Sequence, residues 1–248
     1  MGVAIALIIR EQTYFLTGDW QAAHQDAEKA RAVLRPIRHN RFTCAPLIAL
    51  GELALFEGRE EEGVSLLEEG IHLAEQYQHF NRQVLGELAL CEWEVLKGRI
   101  QAAHTRLESL RSRSSLREPQ LEQLRPLLAW VAILLGEVNQ AETWLAEGIV
   151  RATPRTRVNL LRYQALLRIG QKCWEEAKAA LEETLTLCRE MSYPYAEAKA
   201  LYVYGQLHQA KGEPVQARAR LEAALTILNQ LGELLYAEQV ERTLAEGT

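Results

Sequence analysis

Several kinds of chemistry are missing from this sequence. It has no GxxxxGK[ST], no HExxH and no GxSxG, so neither a phosphate loop, a zinc-protease helix nor a nucleophile elbow is spelled out. Cysteine is scarce. Cys44, Cys91, Cys173 and Cys188 stand at unrelated spacings that make no CxxC and no metal knuckle, and they read as free thiols of a reduced compartment. The longest apolar run, Val3 to Ile9, is too short to cross a bilayer, with no basic region before it and no cleavage site after it. A cytoplasmic chain with no membrane partner is the expectation. Positive charge is not in excess either. A net charge of −5 and a pI near 5.8 offer a polyanion no long-range attraction, which argues against nucleic acid. The six histidines (24, 39, 72, 79, 104 and 208) are spread along the chain, and His72 and His79 read as sharing one helix without a ligand partner. No metal, cofactor or catalytic residue is therefore expected, and the chain reads as non-enzymatic.

What is present is repetition. An apolar segment ends at a Gly, and a small residue follows five positions later: Gly18 and Ala23, Gly58 and Gly63, Gly98 and Ala103, Gly136 and Ala141, Gly212 and Ala217. Gly170 to Ala177 reads as the same unit with two residues inserted. The Gly supplies a positive φ where one helix ends. The small residue lets the next helix cross it closely. Twelve residues after the turn come Gly70, Gly148 and Ala224, each followed by an apolar residue suited to contact with the next unit. Turn glycines lie 40, 40, 38, 34 and 42 residues apart, and the small residues lie 40, 40, 38, 36 and 40 apart. An internal period of this length marks a helical solenoid.

Taken in order, the pattern predicts helices over Val3–Leu16 and Asp19–Leu34, Pro46–Phe56 and Glu60–Gln76, Asn81–Leu96 and Ile100–Leu110, Leu121–Leu135 and Gln140–Val150, and Arg157–Ile169 and Trp174–Met191. A sixth pair opens at Tyr193-Pro194 and ends near Gln230. A last helix, Leu234–Ala245, carries Glu238, Gln239, Glu241 and Arg242 as the polar outer face of a cap. Pro126 either opens the seventh helix or lies inside it. The Ser/Arg-rich stretch 111–119 breaks the rhythm. It reads as a solvated connection and possible flexible joint, with a phosphate-holding loop as the alternative. The fold expected is all-α: a right-handed superhelical solenoid of six antiparallel hairpins plus a C-terminal capping helix, one unit over 1–248.

The motifs Tyr204-Gly205 to Ala217, Leu50-Gly51 to Gly63, and Gly18-Asp19-Trp20 to Ala23 resemble the tetratricopeptide (TPR) family. Its end-of-repeat Pro is mostly absent here, and Gly63 stands where Ala is usual. The long period and the ending Gly232 to Glu241 look like the MalT-type variety. That resemblance implies a place on the C-terminal side of an ATPase module in a bacterial signalling regulator, some of which carry a LuxR-type DNA-binding domain. Met1-Gly2 running at once into a buried-type helix fits the cut end of a longer protein.

The resemblance also implies that the first helix of each pair lines a concave face. Six residues before each turn Gly lie Gln12, Glu52, Glu92, Trp130, Gln164 and Gln206. Four residues earlier lie Ile8, Ile48, Leu88, Pro126, Leu160 and Tyr202. Trp130 and Tyr202 are the candidate anchors, with Glu92 and Gln164 flanking Trp130, while Trp20 and Trp174 beside turns read as structural. A buried Trp130 is the rival reading. The partner expected is a protein or peptide, or a small effector in the groove. The function expected is a non-catalytic interaction or effector-sensing module of a larger regulator. The alternatives are a self-standing adaptor, or an enzyme whose groove clusters carboxylates of raised pKa.

Overall fold

The computed structural model describes residues 1–37, 41–113 and 116–246. Among them are thirteen α-helices and no strand: α1 Gly2–Thr17, α2 Trp20–Leu34, α3 Cys44–Phe56, α4 Glu60–Gln76, α5 Phe80–Leu96, α6 Ile100–Arg111, α7 Glu118–Leu135, α8 Val138–Arg151, α9 Pro154–Gly170, α10 Trp174–Glu190, α11 Pro194–Ala210, α12 Pro214–Leu231 and α13 Leu235–Glu246. Six antiparallel pairs run from α1·α2 to α11·α12, making a helical repeat solenoid.

The two helices of a pair differ because their sequences do. The second helices are amphipathic and bury one stripe: Gly63, Leu67, Gly70 and Ala74 on α4, and Ala217, Leu221, Ala224 and Leu228 on α12. These positions follow a helical period of four and three. Most first helices bury more than one stripe, and α3 is the extreme case, where every residue from Cys44 to Phe56 except Glu52 is buried. An inner helix must face its partner, both neighbouring pairs and the inside of the coil. Close approach sets the small residues. A Cβ on Gly51 would lie 2.9 Å from the Gly63 carbonyl oxygen, and one on Gly205 would lie 2.6 Å from Leu221.

Gly18, Gly58, Gly98, Gly136 and Gly212 all turn with positive φ, but the fifth turn does not use Gly170. Gly170 is the last residue of α9, and Lys172 takes the left-handed conformation at φ 60°. Lys172 N donates to Ile169 O and Cys173 N to Arg168 O, the same pair of bonds that Gly212 N and Glu213 N make to Gln209 O and His208 O. No residues are inserted, and the period is an even 40, 40, 38, 36 and 40. His72 and His79 do not share a helix. Gln78, at φ 53°, separates α4 from His79, which caps α5. His39 lies outside the described residues.

Pro126 lies inside α7, which begins eight residues earlier. Residues 114–115 of the suggested joint lie outside the described residues. On either side of it α6 packs on α7, and one buried apolar cluster includes both Leu110 and Leu124.

The coil closes on itself. α1 packs against α11, and α13 leaves α12 to pack against α3 and α5. Leu234 N donates to Phe56 O at 2.7 Å, and Gln239 Nε2 donates to Leu96 O at 3.2 Å. Trp20 and Phe56 from the first pairs meet Tyr195 from α11, with ring centroids 5.3 and 4.9 Å apart. The last helix is thus more than a polar end cap. Its Leu235, Tyr236, Ala237 and Val240 are buried, and Glu238 reaches Lys97 at 3.4 Å.

Candidate functional site

Closure turns the concave face into a cavity of about 410 Å³ lined by residues of all six inner helices. Its wall is a set of helical rows that repeat from pair to pair. Counted back from the turn residues, the rows hold Gln12, Glu52 and Glu92; then Ile48, Leu88, Pro126 and Arg162; then Gln123, Asn159 and Lys199; then Arg155 and Tyr195. Spacings of three, four and seven residues keep these on one helix face.

The floor is a closed set of polar contacts. Glu92 Oε1 accepts from Lys199 Nζ at 2.9 Å and from the Tyr236 hydroxyl at 3.0 Å. Arg162 Nη1 donates to Tyr236 Oη at 3.2 Å, and its Nη2 donates to Tyr163 Oη at 2.7 Å. Lys199 also lies 4.2 Å from the Tyr195 ring centroid. Burial opposes the charge on Glu92, but Lys199 and Arg162 outweigh it and hold the carboxyl below its ordinary range. Burial lowers the Lys199 ammonium despite Glu92. The network ties α5, α9 and α11 to α13. Glu233 fixes the start of α13 by accepting from Tyr236 N at 2.9 Å and Ala237 N at 3.1 Å.

The upper wall is different. Glu11 of α1 is 5% exposed, and Glu52 of α3 faces the same space. Burial, then the charge of Glu52, raises Glu11 to about 8; burial, with Glu92 as the like charge, raises Glu52 to about 7. Arg82 and Arg155 act on Glu11, and Arg155 on Glu52, only through space. Arg82 is met by a neutral group: with its amide oxygen turned inward, Gln12 accepts from Nη2 and Nη1 at 2.6 and 2.8 Å. Arg155 lines the cavity and is exposed, its guanidinium 5.9 Å from the Tyr193 ring centroid. The Tyr195 hydroxyl and the Gln123 amide oxygen, both on the lining, are buried without hydrogen-bond partners. A second hollow shares Gln12, Arg82, Leu85 and Gln123 with the cavity and continues onto Ile5, Ile8, Ile9 and Phe42.

Of the residues singled out in the sequence, Gln12, Glu52 and Glu92 line the cavity, with Ile48, Leu88 and Pro126 beside them. Trp130 is not an exposed anchor. It is 8% exposed and stacks on Tyr163 at 5.1 Å, inside the main core. Leu160 is wholly buried. Gln164 fell in this set because its row was counted from Gly170. Counted from Lys172, the row of Ile48 and Leu88 continues at Arg162, which the sequence reading missed. Tyr202 packs edge-on against Tyr236 at 6.4 Å and lies within 3.4 Å of Thr243 Oγ1, so α13 covers it. Gln206 is off the lining, and its amide oxygen is buried without a partner. Glu11, Arg82, Arg155 and Lys199 also escaped notice. Lys199 and Arg155 sit in rows one and two turns, respectively, N-terminal to those counted, and carrying the period back would have found them.

Other buried acids are satisfied. Arg106 bridges Glu87 at 2.6 Å and Glu94 at 2.9 Å, joining α5 to α6. Among the described residues no group of three His, Cys, Asp or Glu is placed to hold a metal ion, and no helix is long and apolar enough to cross a membrane.

No protein-family model matches the chain, and no curated protein matches it. Solved structures do. A tetratricopeptide repeat protein from Parabacteroides merdae is 13% identical, with 100% of this chain and 99% of that one covered and a TM-score of 0.49. YrrB, described as a TPR protein with an unusual peptide-binding site, is 15% identical over 84% of this chain and 96% of its own, with a TM-score of 0.40. Likeness at this distance says nothing of a ligand.

Proposed function

We propose that this chain is an effector-sensing module, a binding protein whose ligand is a small polar molecule held in the central cavity. The observation that carries this reading is the closure of the coil by α13. It turns the concave face into a cavity of about 410 Å³ with cations and carboxylates converging on it. Small-ligand sites of this kind have volumes of about 300–1,000 Å³ and few, convergent polar groups. The C-terminal helix is bonded to the same floor, so a ligand that engages Lys199 or Arg162 acts on a helix at the surface. The test is a metabolite-library thermal-shift screen of the intact chain and of Ala89→Phe, which fills the cavity from its wall. Ligands that stabilise the native chain and not the variant support the reading. Equal responses, or none, defeat it.

A second reading has its own observation. Two facing carboxylates with raised pKa are what general acid–base catalysis needs near neutral pH. Turnover of a cavity ligand, followed by NMR and lost in Glu11→Gln, would favour an enzyme over a sensor. The wider context, a regulator with an upstream ATPase, rests on the resemblance of the long repeats and the ending Gly232 to Glu241. The flanking coding sequence tests it.

A further inference from the structure

The upper wall holds two carboxylates and two guanidiniums that face one cavity and do not pair. Such groups are costly to desolvate unless something compensates them. Glu11 makes no hydrogen bond or ion pair and is 5% exposed, so it is a buried carboxyl without a partner. Neither cation beside it is bonded to it: Arg82 meets only the neutral Gln12 amide, which leaves its charge uncompensated, and Arg155 is exposed. One ligand would satisfy both signs: a cationic group near Glu11 and Glu52, and an anionic group on Arg155 and Arg82. Between and beside them the wall is apolar, with Ile48, Ala49, Leu88 and Leu127, and the adjoining hollow adds Ile5 and Ile9.

We infer that the cavity binds a small zwitterion with an apolar side chain, an α-amino acid or a dipeptide, its ammonium between Glu11 and Glu52 and its carboxylate on Arg155 and Arg82. This deepens the effector-sensing reading and rests on it. The free Tyr195 hydroxyl and Gln123 amide oxygen offer further partners for the polar backbone of such a ligand. The raised carboxylates fit the same picture. Glu11 is faced by Glu52 from α3, Arg82 from α5, Arg155 from α9 and Asp26 from α2; Glu52 is faced by Arg155, Glu92 and Lys199. An ammonium brought between the two acids replaces the protons they hold, so binding tightens as pH rises from 6 toward 8.

Isothermal titration of the intact chain with four probes tests this: L-leucine, the dipeptide Leu-Leu, N-acetyl-L-leucine and L-leucinamide. Leucine or Leu-Leu binds, and whichever is tighter identifies the source. The acetyl compound, without the ammonium, and the amide, without the carboxylate, each bind about tenfold more weakly or worse, since each leaves one end of the site without its counter-charge. In Glu52→Gln the penalty on the acetyl compound shrinks, and in Arg155→Gln the penalty on the amide shrinks. Circular dichroism checks that both variants keep their helices. An acetyl compound or amide that binds as tightly as the free zwitterion overturns the inference. So does silence from both leucine and Leu-Leu. Neither result touches the effector-sensing reading, which the library screen against Ala89→Phe decides separately.

Discussion

The floor and the upper wall of the cavity both set carboxylates beside cations on inner helices, yet only the floor pairs its charges. Glu92 accepts from Lys199 and from Tyr236, and the Tyr236 hydroxyl accepts from Arg162. Glu11, Glu52, Arg82 and Arg155 face one another across open space. The carboxyl pKa values follow: Glu92 lies below its ordinary range, and Glu11 and Glu52 lie well above it. Burial is common to both regions, so the difference comes from the cations beside Glu92, Lys199 of α11 and Arg162 of α9, with the Tyr236 hydroxyl of α13 adding a bond. A charge that is paired can hold the fold, and a charge that is left unpaired is free for a ligand. The contrast separates structure from function inside one cavity.

The largest expected effect breaks the floor. Glu92→Ala strands Lys199 and Arg162 as buried cations, and losing one partner of such a network costs about 3 to 5 kcal/mol. Urea unfolding at pH 7 measures it, and amide exchange within α13 should rise in the same variant. A loss below about 1 kcal/mol would mean that the floor does not hold α13.

Two tyrosines sharpen the comparison. Tyr236 and Tyr195 are both 2% exposed, but only the Tyr236 hydroxyl has partners. Tyr236→Phe should cost about 1 to 3 kcal/mol by leaving Arg162 and Glu92 short of a bond. Tyr195→Phe removes an unpartnered hydroxyl and should be neutral or slightly stabilising. Equal losses from the two would erase the distinction between bonded floor and open wall.

How far the sequence could be read depended on what each row records. The pairs, the crossing residues and the turns at Gly18, Gly58, Gly98, Gly136 and Gly212 were legible because glycine and alanine are selected there for space and φ. The fifth turn was not, because Lys172 takes the same conformation without glycine. The error of two residues hid Arg162 behind Leu160. Trp130 misled for another reason: its row faces the cavity on α3 and α5, but on α7 it meets Tyr163 of the next inner helix. Ring closure by α13 left no local signal, since it joins residues more than a hundred positions apart. The turns themselves can be compared. At Gly212 a Cβ would meet nothing, so Gly212→Ala should cost about 1 kcal/mol from φ alone, measured by thermal unfolding. Lys172→Gly should cost nothing or gain stability. That outcome would confirm that the two turns have one geometry and that Arg162 belongs on the inner row.

The smallest expected effect is the most specific to the upper wall. Glu52 and Glu11 keep their protons in the folded chain up to about 7 and about 8, whereas the unfolded chain ionises near 4.5. Between those limits the unfolded state binds fewer protons, so the stability they contribute is complete below 4.5 and is lost as pH rises through the folded values. Glu233, raised by burial to about 7, adds to the same slope. Glu92 tilts the other way, its contribution being lost as pH falls below its ordinary value. Glu52→Gln removes one of the raised groups and relieves Glu11 of a like charge. Its unfolding free energy should therefore fall less steeply between pH 4.5 and 8 than that of the native chain. At pH 8 the variant should be the more stable by about 1 kcal/mol, less than the full shift implies because Glu52 is only half-buried and partly screened. Urea titrations at pH 5 and pH 8 measure the two slopes. Equal slopes would mean that Glu52 ionises as an ordinary carboxylate, and the upper wall would then carry its charge much as the floor does.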